Sequence, residues 1–174
     1  MDVLNLIKKG AHTAIIEAVK KCKYLSPEEE CALIKRGNHE EIMTYLAEHY
    51  LEVDAFHEFI KRGNLNEVRF YLSTSSTVFI DVQTAKEILK LGSGVHDAFV
   101  DCIIRYQNEG YFDENTQLLD DIQCLIMQCG NHCAIRRYLY QKKLLKKAAK
   151  MLQIHGIAED ILVFNLRQLH VRAY

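Results

Sequence analysis

The chain contains two nearly identical copies of a 14-residue segment, and this repetition constrains the fold more than any other feature of the sequence. The copies read LIKRGNHEEIMTYL at residues 33–46 and FIKRGNLNEVRFYL at residues 59–72, so they begin 26 residues apart. Weaker copies surround Gly10 and Gly130. Such recurrence predicts a repeat architecture, in which neighbouring units stack because no single unit can bury its own apolar face.

Each copy has the pattern of two short helices joined by a tight turn. A basic pair ends the first helix, where cations oppose the partial negative charge of the helix end. The glycine that follows, Gly37 or Gly63, is expected to close the helix with a positive φ. The next asparagine and the glutamate three residues later form a capping-box pattern, which starts the second helix. These pairs are Asn38 with Glu41 and Asn64 with Glu67.

The second helix of each unit has a regular apolar pattern. The fifth, eighth and ninth residues after the turn glycine lie on one helical face, which we expect to point into a core. These positions are Ile15, Ala18, Val19, Ile42, Tyr45, Leu46, Val68, Tyr71, Leu72, Ile135, Tyr138 and Leu139. A helix this short needs such packing to be stable.

We predict an all-α fold of six helix–turn–helix units in a single domain spanning residues 1–174. The approximate limits of the units are 1–24, 25–50, 51–76, 77–110, 111–143 and 144–174. Residues 73–80 are rich in hydroxyl and β-branched side chains and predict a loop. Ser93 and Gly94 are interpreted as an insertion in the fourth turn, and a longer leading helix is expected at about residues 113–128.

Six units of this kind resemble the α-solenoids, the group that includes HEAT, armadillo and leucine-rich-variant repeats. The form Lys-Arg-Gly-Asn-x-x-Glu-Ile is similar to that of α/α-superhelix proteins predicted in bacteria, whereas the period is shorter than that of HEAT or armadillo units. The resemblance covers essentially the whole chain. It implies an α/α-superhelix that serves as a binding surface, and it implies no particular site.

Composition and segment lengths indicate a cytoplasmic protein. Apolar residues make up 49% and charged residues 26% of the chain, which is ordinary for a globular protein. The N-terminal residues lack the apolar run of a signal peptide, and no stretch is long and apolar enough to cross a bilayer. We therefore expect no membrane partner and six reduced cysteines.

Charge is distributed unevenly along the chain, although the net charge is −1. Residues 1–121 hold 13 Lys and Arg against 21 Asp and Glu, whereas residues 122–174 hold 9 against 2. The basic end contains a run made of Arg136, Arg137, Lys142, Lys143, Lys146, Lys147 and Lys150. Such a run can neutralise nucleic-acid phosphates, so nucleic-acid binding through residues 136–150 is the alternative function. A solvated face, or pairing with an acidic partner, also explains the run.

A cluster of four side chains resembles a metal site in composition. Its members are Cys124, Cys129, His132 and Cys133, and thiolates with imidazole suit zinc or an iron–sulfur cluster. Their spacing matches no common zinc pattern, and Cys124 stands six residues before its glycine, as Cys31 does. We therefore interpret them as ordinary helix positions and expect no metal or cofactor. No phosphate-binding glycine loop or nucleophile elbow is present, so we expect no catalytic residues.

A polar stripe is the candidate binding surface. It consists of the fourth, seventh and eleventh residues after each glycine, which face away from the predicted core. Its members are Glu41, Thr44, Glu48, Glu67, Phe70, Thr74, Asp101, Arg105, Arg137, Gln141 and Arg167. The stripe passes from acidic to basic along the chain. We therefore expect a non-catalytic scaffold that presents this surface to a protein or peptide partner.

Overall fold

The computed structural model describes residues 3–22, 24–75, 78–112 and 116–172, with backbone alone for residues 169–172. Over these ranges the protein is all-α, with twelve helices and no strand, which confirms the predicted class. The chain divides into two compact units, Met1–Phe79 and Ile80–Tyr174. Within the described part, no helix is long and apolar enough to cross a membrane.

In the Met1–Phe79 unit, helices that are two positions apart in the chain order pack against each other. The helices are α1 (Val3–Lys9), α2 (His12–Lys21), α3 (Pro27–Arg36), α4 (His39–Leu46), α5 (Val53–Arg62) and α6 (Leu65–Thr74). Helices α1, α3 and α5 pack in series, and α2, α4 and α6 do the same. One row is therefore made of the first helices of successive helix–turn–helix units, and the other row of the second helices.

The Ile80–Tyr174 unit has the same pairing. Its helices are α7 (Val82–Lys90), α8 (Ser93–Asn108), α9 (Gln117–Gln128), α10 (His132–Gln141), α11 (Lys146–His155) and α12 (Ala158–Arg172). Helices α7, α9 and α11 pack in series, as do α8, α10 and α12. The longer leading helix predicted at 113–128 begins at Gln117, where the Thr116 hydroxyl caps it; residues 113–115 lie outside the described ranges.

The predicted core positions are buried in both units. All twelve side chains at the fifth, eighth and ninth positions are at most 4% exposed. The tyrosine at the eighth position also makes a polar contact to an adjacent part of the chain. Tyr45 Oη donates to Glu30 Oε1 at 2.6 Å, and the backbone N–H of Leu51 donates to Tyr71 Oη at 2.9 Å. These hydroxyls satisfy buried polar groups that would otherwise cost free energy.

The helix starts agree with the capping patterns. Asn38 and Glu41 form a complete capping box, in which Asn38 Oδ1 accepts from Glu41 N and Glu41 Oε2 accepts from Asn38 N. Asn64 Oδ1 accepts from the backbone N–H of Glu67, but the Glu67 carboxylate accepts from the Asn64 side chain instead of its backbone. The first half of the box is thus present at both of these turns, and the reciprocal half depends on where the glutamate points.

The turn glycines fall into two classes, and one prediction about them is wrong. Gly63 has φ 72°, as expected for a helix closed in the left-handed region, whereas Gly37 has φ −62°. A Cβ added to Gly37 would lie 2.5 Å from the Leu33 carbonyl oxygen, and one added to Gly156 would lie 2.6 Å from the Leu152 oxygen. Glycine is needed at these two positions because the chain passes too close to the preceding helix for any side chain.

Two further predictions are corrected. Ser93 and Gly94 are the first residues of α8 and not an insertion in the turn, which is made by Gly92 at φ 111°. The loop predicted at 73–80 starts later, since α6 continues to Thr74. The Ser73 and Thr74 hydroxyls donate to carbonyls four residues earlier, so these polar side chains are accommodated within the helix.

Candidate functional site

Two members of the predicted stripe are not on the surface. Glu41 is 4% exposed and Glu67 is fully buried. Each stands at the third position of its helix, where the carboxylate turns back toward the preceding asparagine. A partner cannot reach these carboxylates, so they are excluded from the candidate surface.

These acids belong to a contact that recurs in both units. A histidine at the first position of one second helix meets a buried acid at the third position of the next second helix. The Nδ1–oxygen distances are 2.9 Å for His12 with Glu41, 2.9 Å for His39 with Glu67 and 2.6 Å for His132 with Asp160. The partners lie 28 or 29 residues apart, and the contacts link α2 to α4, α4 to α6 and α10 to α12.

The His12 contact makes stability dependent on pH. The hydrogen bond to Glu41 raises the pKa of His12, and Glu40 adds to this effect, against the opposing effect of desolvation. Since the folded pKa is raised, the stabilisation is fully present below the unfolded pKa of about 6.5 and is lost as pH rises through the folded pKa. We expect His12→Gln to destabilise the protein more at pH 5.5 than at pH 8.5, measured by urea unfolding.

The control for this prediction is His155→Gln, which removes an exposed histidine that has no acidic partner within the described ranges. An effect of His12→Gln that is equal at the two pH values, or matched by His155→Gln, would show that the ion pair with Glu41 does not contribute.

The remaining stripe residues divide between internal contacts and open positions. Asp101 Oδ2 and Arg137 Nη1 lie 2.5 Å apart and pair with each other. The Thr44 hydroxyl donates to the Glu40 carbonyl, and Arg105 lies with its guanidinium 5.9 Å from the centre of the Tyr106 ring. Four of the five members at the eleventh position share a different environment, since they line recesses at the ends of the second helices. They are Glu48, Thr74, Gln141 and Arg167.

The basic run is partly neutralised by neighbouring acids. Arg137 pairs with Asp101, Lys147 pairs with Asp121, and Arg136 Nε lies 3.9 Å from Asp160 Oδ1. The pairing with Lys147 lowers the pKa of Asp121, with Gln117 adding to the effect, so this carboxylate stays charged. The run therefore does not form one continuous cationic surface. Within the described ranges, the members of the basic run that lack an acidic partner are Lys142, Lys143, Lys146 and Lys150.

The side chains of the cysteine cluster serve in packing and in the contact between His132 and Asp160. His132 Nδ1 bonds to Asp160, Cys124 is buried and Cys133 is exposed. Burial raises the pKa of the Cys124 and Cys129 thiols, which disfavours the thiolate that a metal would need. Within the described ranges, no group of three or more His, Cys, Asp or Glu side chains is placed to hold a metal ion.

A cavity in the Ile80–Tyr174 unit is lined by several of the predicted residues, and we call it the cationic recess. Its volume is about 430 Å³. Its polar lining consists of Gln107, Gln123, Gln141, Lys142, Lys143 and Arg167, and three leucines complete the wall. None of these lining residues is acidic. The recess thus brings together two residues of the stripe and two residues of the basic run.

The two buried glutamines form the floor of the cationic recess, and the sequence patterns did not single them out. Gln123 is fully buried: its oxygen accepts from Leu145 N at 2.8 Å, and its nitrogen donates to Tyr138 Oη at 2.9 Å and to the Lys143 carbonyl at 3.0 Å. The Tyr138 hydroxyl donates in turn to Gln107 Oε1 at 2.7 Å. Burial raises the pKa of Tyr138, so the hydroxyl keeps its proton and this network stays intact.

A counterpart recess lies at equivalent repeat positions of the Met1–Phe79 unit. It has a volume of about 100 Å³ and is lined by Glu48, His49, Tyr50 and Thr74, together with Leu46, Ala47 and Ser75. The residues at the eleventh, twelfth and thirteenth positions are Glu48, His49 and Tyr50 here, and Gln141, Lys142 and Lys143 in the cationic recess. The two recesses thus share these positions of the sequence pattern, and the residues at these positions differ in charge.

Comparisons of the chain with models of protein families, with curated proteins and with solved structures find no match. The candidate site is therefore interpreted from its own geometry.

Proposed function

We propose that this chain is a non-catalytic interaction scaffold of the cytoplasm, built as an α/α-superhelix of helix–turn–helix repeats, which binds a protein or peptide partner. The observation that carries the proposal is the recess formed at the same repeat positions in both units. Equivalent positions that face outward at a constant register are the means by which repeat proteins bind extended partners.

The internal use of the reactive side chains also supports a scaffold. The buried acids Glu41, Glu67 and Asp160 cap helices or meet histidines of the neighbouring repeat. Buried Glu30 accepts from Tyr45 Oη and from the backbone N–H of Glu52 at 2.9 Å. Burial raises the pKa of Glu30, although these two hydrogen bonds oppose the rise. Buried acids can act in acid–base catalysis, but the contacts of these residues join neighbouring helices.

The remaining polar surface differs in charge between the two recesses. Glu48 is exposed beside the recess of the Met1–Phe79 unit, and Lys143 is exposed beside the cationic recess. A partner segment that occupies both would meet opposite charges along its length, and electrostatic complementarity would set its direction. Nucleic acid fits this distribution less well, because the acids that pair with Arg136, Arg137 and Lys147 reduce the attraction for phosphates.

The proposal is tested by affinity capture on the immobilised full chain from a native lysate, with and without nuclease. We expect nuclease-resistant capture of a protein that is lost when Glu48→Lys and Gln141→Glu change both recesses. The matched control combines Glu109→Lys with Gln153→Glu, which makes the same charge changes at exposed positions outside the recesses. Material that disappears with nuclease would support the nucleic-acid alternative, and equal loss from both variants would show that the recesses are not the binding surface.

A further inference from the structure

We infer that the cationic recess is a binding site for an oxyanion, a phosphoryl or carboxylate group carried by a small organic ligand or a side chain. The inference rests on the proposed function, since it names the chemistry that one recess of the scaffold would recognise. It stands on three observations: unbalanced positive charge, a neutral floor residue whose equivalent in the sequence pattern of the other unit is acidic, and an amide donor on a residue that lines the cavity.

The positive charge of the recess is not balanced by any acid in the described ranges. Lys142 Nζ donates to Asn108 Oδ1, a neutral amide oxygen, at 2.6 Å. Arg167 Nη1 donates to the carbonyl oxygens of Leu139 and Lys142, the latter at 3.1 Å. The Lys143 ammonium has no described hydrogen-bond or ion-pair partner, although its backbone carbonyl accepts from Gln123. Three cations around one cavity without a carboxylate make a site that favours an anion.

The floor residue Gln123 is neutral at a place in the sequence pattern that is acidic in the Met1–Phe79 unit, where Glu30 does not line the smaller recess. Gln123 stands seven residues before Gly130, and Glu30 stands seven residues before Gly37. The two side chains make equivalent bonds: each accepts from the backbone N–H fifteen residues after the glycine and meets the hydroxyl of the eighth-position tyrosine. A glutamine therefore preserves the local structure while removing the negative charge that a glutamate would place in the cavity.

The exchange of glutamate for glutamine also redirects the tyrosine hydroxyl. Tyr45 donates its proton to Glu30, whereas Tyr138 accepts from Gln123 and donates to Gln107. Because Gln107 Oε1 is the acceptor in that bond, the Nε2 donor of Gln107 remains for a ligand in the recess that this residue lines. The recess thus offers an amide donor in addition to its cations, which suits the oxygen atoms of phosphate or carboxylate.

The size of the recess indicates a ligand larger than a bare ion. A volume of about 430 Å³ lies within the range of small-molecule sites. Leu119, Leu144 and Leu145 supply apolar wall beside the charged groups. An anionic group attached to a short carbon chain can therefore contact both kinds of surface, whereas a free phosphate ion would use only the polar part.

The inference is tested by titrating the ¹⁵N-labelled full chain with inorganic phosphate, O-phosphoserine and N-acetylglutamate at low ionic strength, following backbone amide shifts. We expect saturable shifts around Lys142 and Leu145 for at least one probe, with a Kd of about 1 mM or below. Tighter binding of O-phosphoserine than of N-acetylglutamate would identify a phosphoryl ligand, and the reverse order a carboxylate ligand. Tighter binding of inorganic phosphate than of either organic probe would contradict the inferred ligand size.

Three variants make the titration decisive. Lys143→Gln removes an exposed cation of the recess and is expected to weaken binding about tenfold. Gln123→Glu places at the floor the acid that Glu30 provides in the other unit, and is expected to weaken binding at least as much. Lys150→Gln removes an exposed charge outside the recess and should change the Kd by less than about twofold.

Absence of saturable shifts with all three probes would overturn the inference, as would an equal effect of Lys143→Gln and Lys150→Gln. The Lys143→Gln result remains decisive if Gln123→Glu perturbs folding, because the Lys143 side chain is exposed. A chain that binds the probes but captures no protein would retain the oxyanion site and lose the scaffold proposal. Capture that depends on the recesses, without binding of the probes, would do the opposite.

Discussion

Gly37→Asn is expected to lower the free energy of unfolding by about 2–3 kcal/mol, the cost of forcing atoms into a closely packed region. The Cβ of any residue at this position would lie 2.5 Å from the Leu33 carbonyl oxygen, which is backbone and cannot move aside. Because α3 ends there and the chain turns at once into α4, relief would require the turn itself to shift. The measurement is urea unfolding of the full chain, followed by helical circular dichroism.

Asparagine is the informative substitution because it tolerates a positive φ better than other residues that carry a Cβ. The matched control is Gly130→Asn: Gly130 has φ 72°, and a Cβ there would meet nothing within 4 Å. We expect this control to cost about 1 kcal/mol or less. If Gly37→Asn is tolerated as well as Gly130→Asn, the close approach to Leu33 does not constrain the turn.

Glu67→Ala is expected to destabilise the protein by about 3 kcal/mol, the lower end of the effect of breaking a buried ion pair. The carboxylate is fully buried, lies 2.9 Å from His39 Nδ1 and 3.2 Å from Arg62 Nε, and accepts from the Asn64 side chain at 2.9 Å. Alanine would leave these three groups without their common acceptor. Since the side chains of His39 and Arg62 are partly exposed, water can compensate in part, which places the effect at the lower end.

The control for this prediction is Glu40→Ala, which removes a carboxylate whose side chain is 71% exposed and which contacts His12 Nε2 at 3.2 Å. Its effect should stay within about 0.5 kcal/mol. Both changes remove a glutamate that contacts a histidine 28 residues away, so the difference between them isolates the contribution of burial and of the added contacts to Arg62 and Asn64. Equal effects would mean that the buried carboxylate at Glu67 contributes no more than a surface charge.

Sequence patterns were sufficient for the helical class, for the apolar face of four second helices and for the starts of α4 and α6. The spacing of apolar residues after each turn glycine identified the twelve buried side chains, because that spacing directly reflects the 3.6-residue period of a helix. Asn38 with Glu41 also predicted a capping box correctly, since a cap involves residues only three positions apart. Features set by neighbours along the chain can be inferred from the chain alone.

Sequence patterns misplaced the candidate surface where long-range contacts decide the environment. Glu41 and Glu67 stand on the outward register of their helices, yet both are buried, where each contacts the preceding asparagine and a histidine 28 or 29 residues away. In the same way Gln107 and Gln123, on two different helices, meet only through Tyr138. A signal for the floor position existed in the sequence, because Gln123 and Glu30 occupy the same place in the repeat. The structural role of this position became evident only from the tyrosine that each residue contacts, Tyr45 for Glu30 and Tyr138 for Gln123.

The sequence by itself therefore determined the helical class and the apolar face of α2, α4, α6 and α10, because both follow from local periodicity and capping. Only the tertiary structure decided which polar side chains form contacts between neighbouring helices and which line a recess. It also decided why Gly37 is glycine, since a φ of −62° suits any residue and the constraint is the position of the Leu33 oxygen. Distances between atoms far apart in the chain are set by packing, which local pattern does not encode.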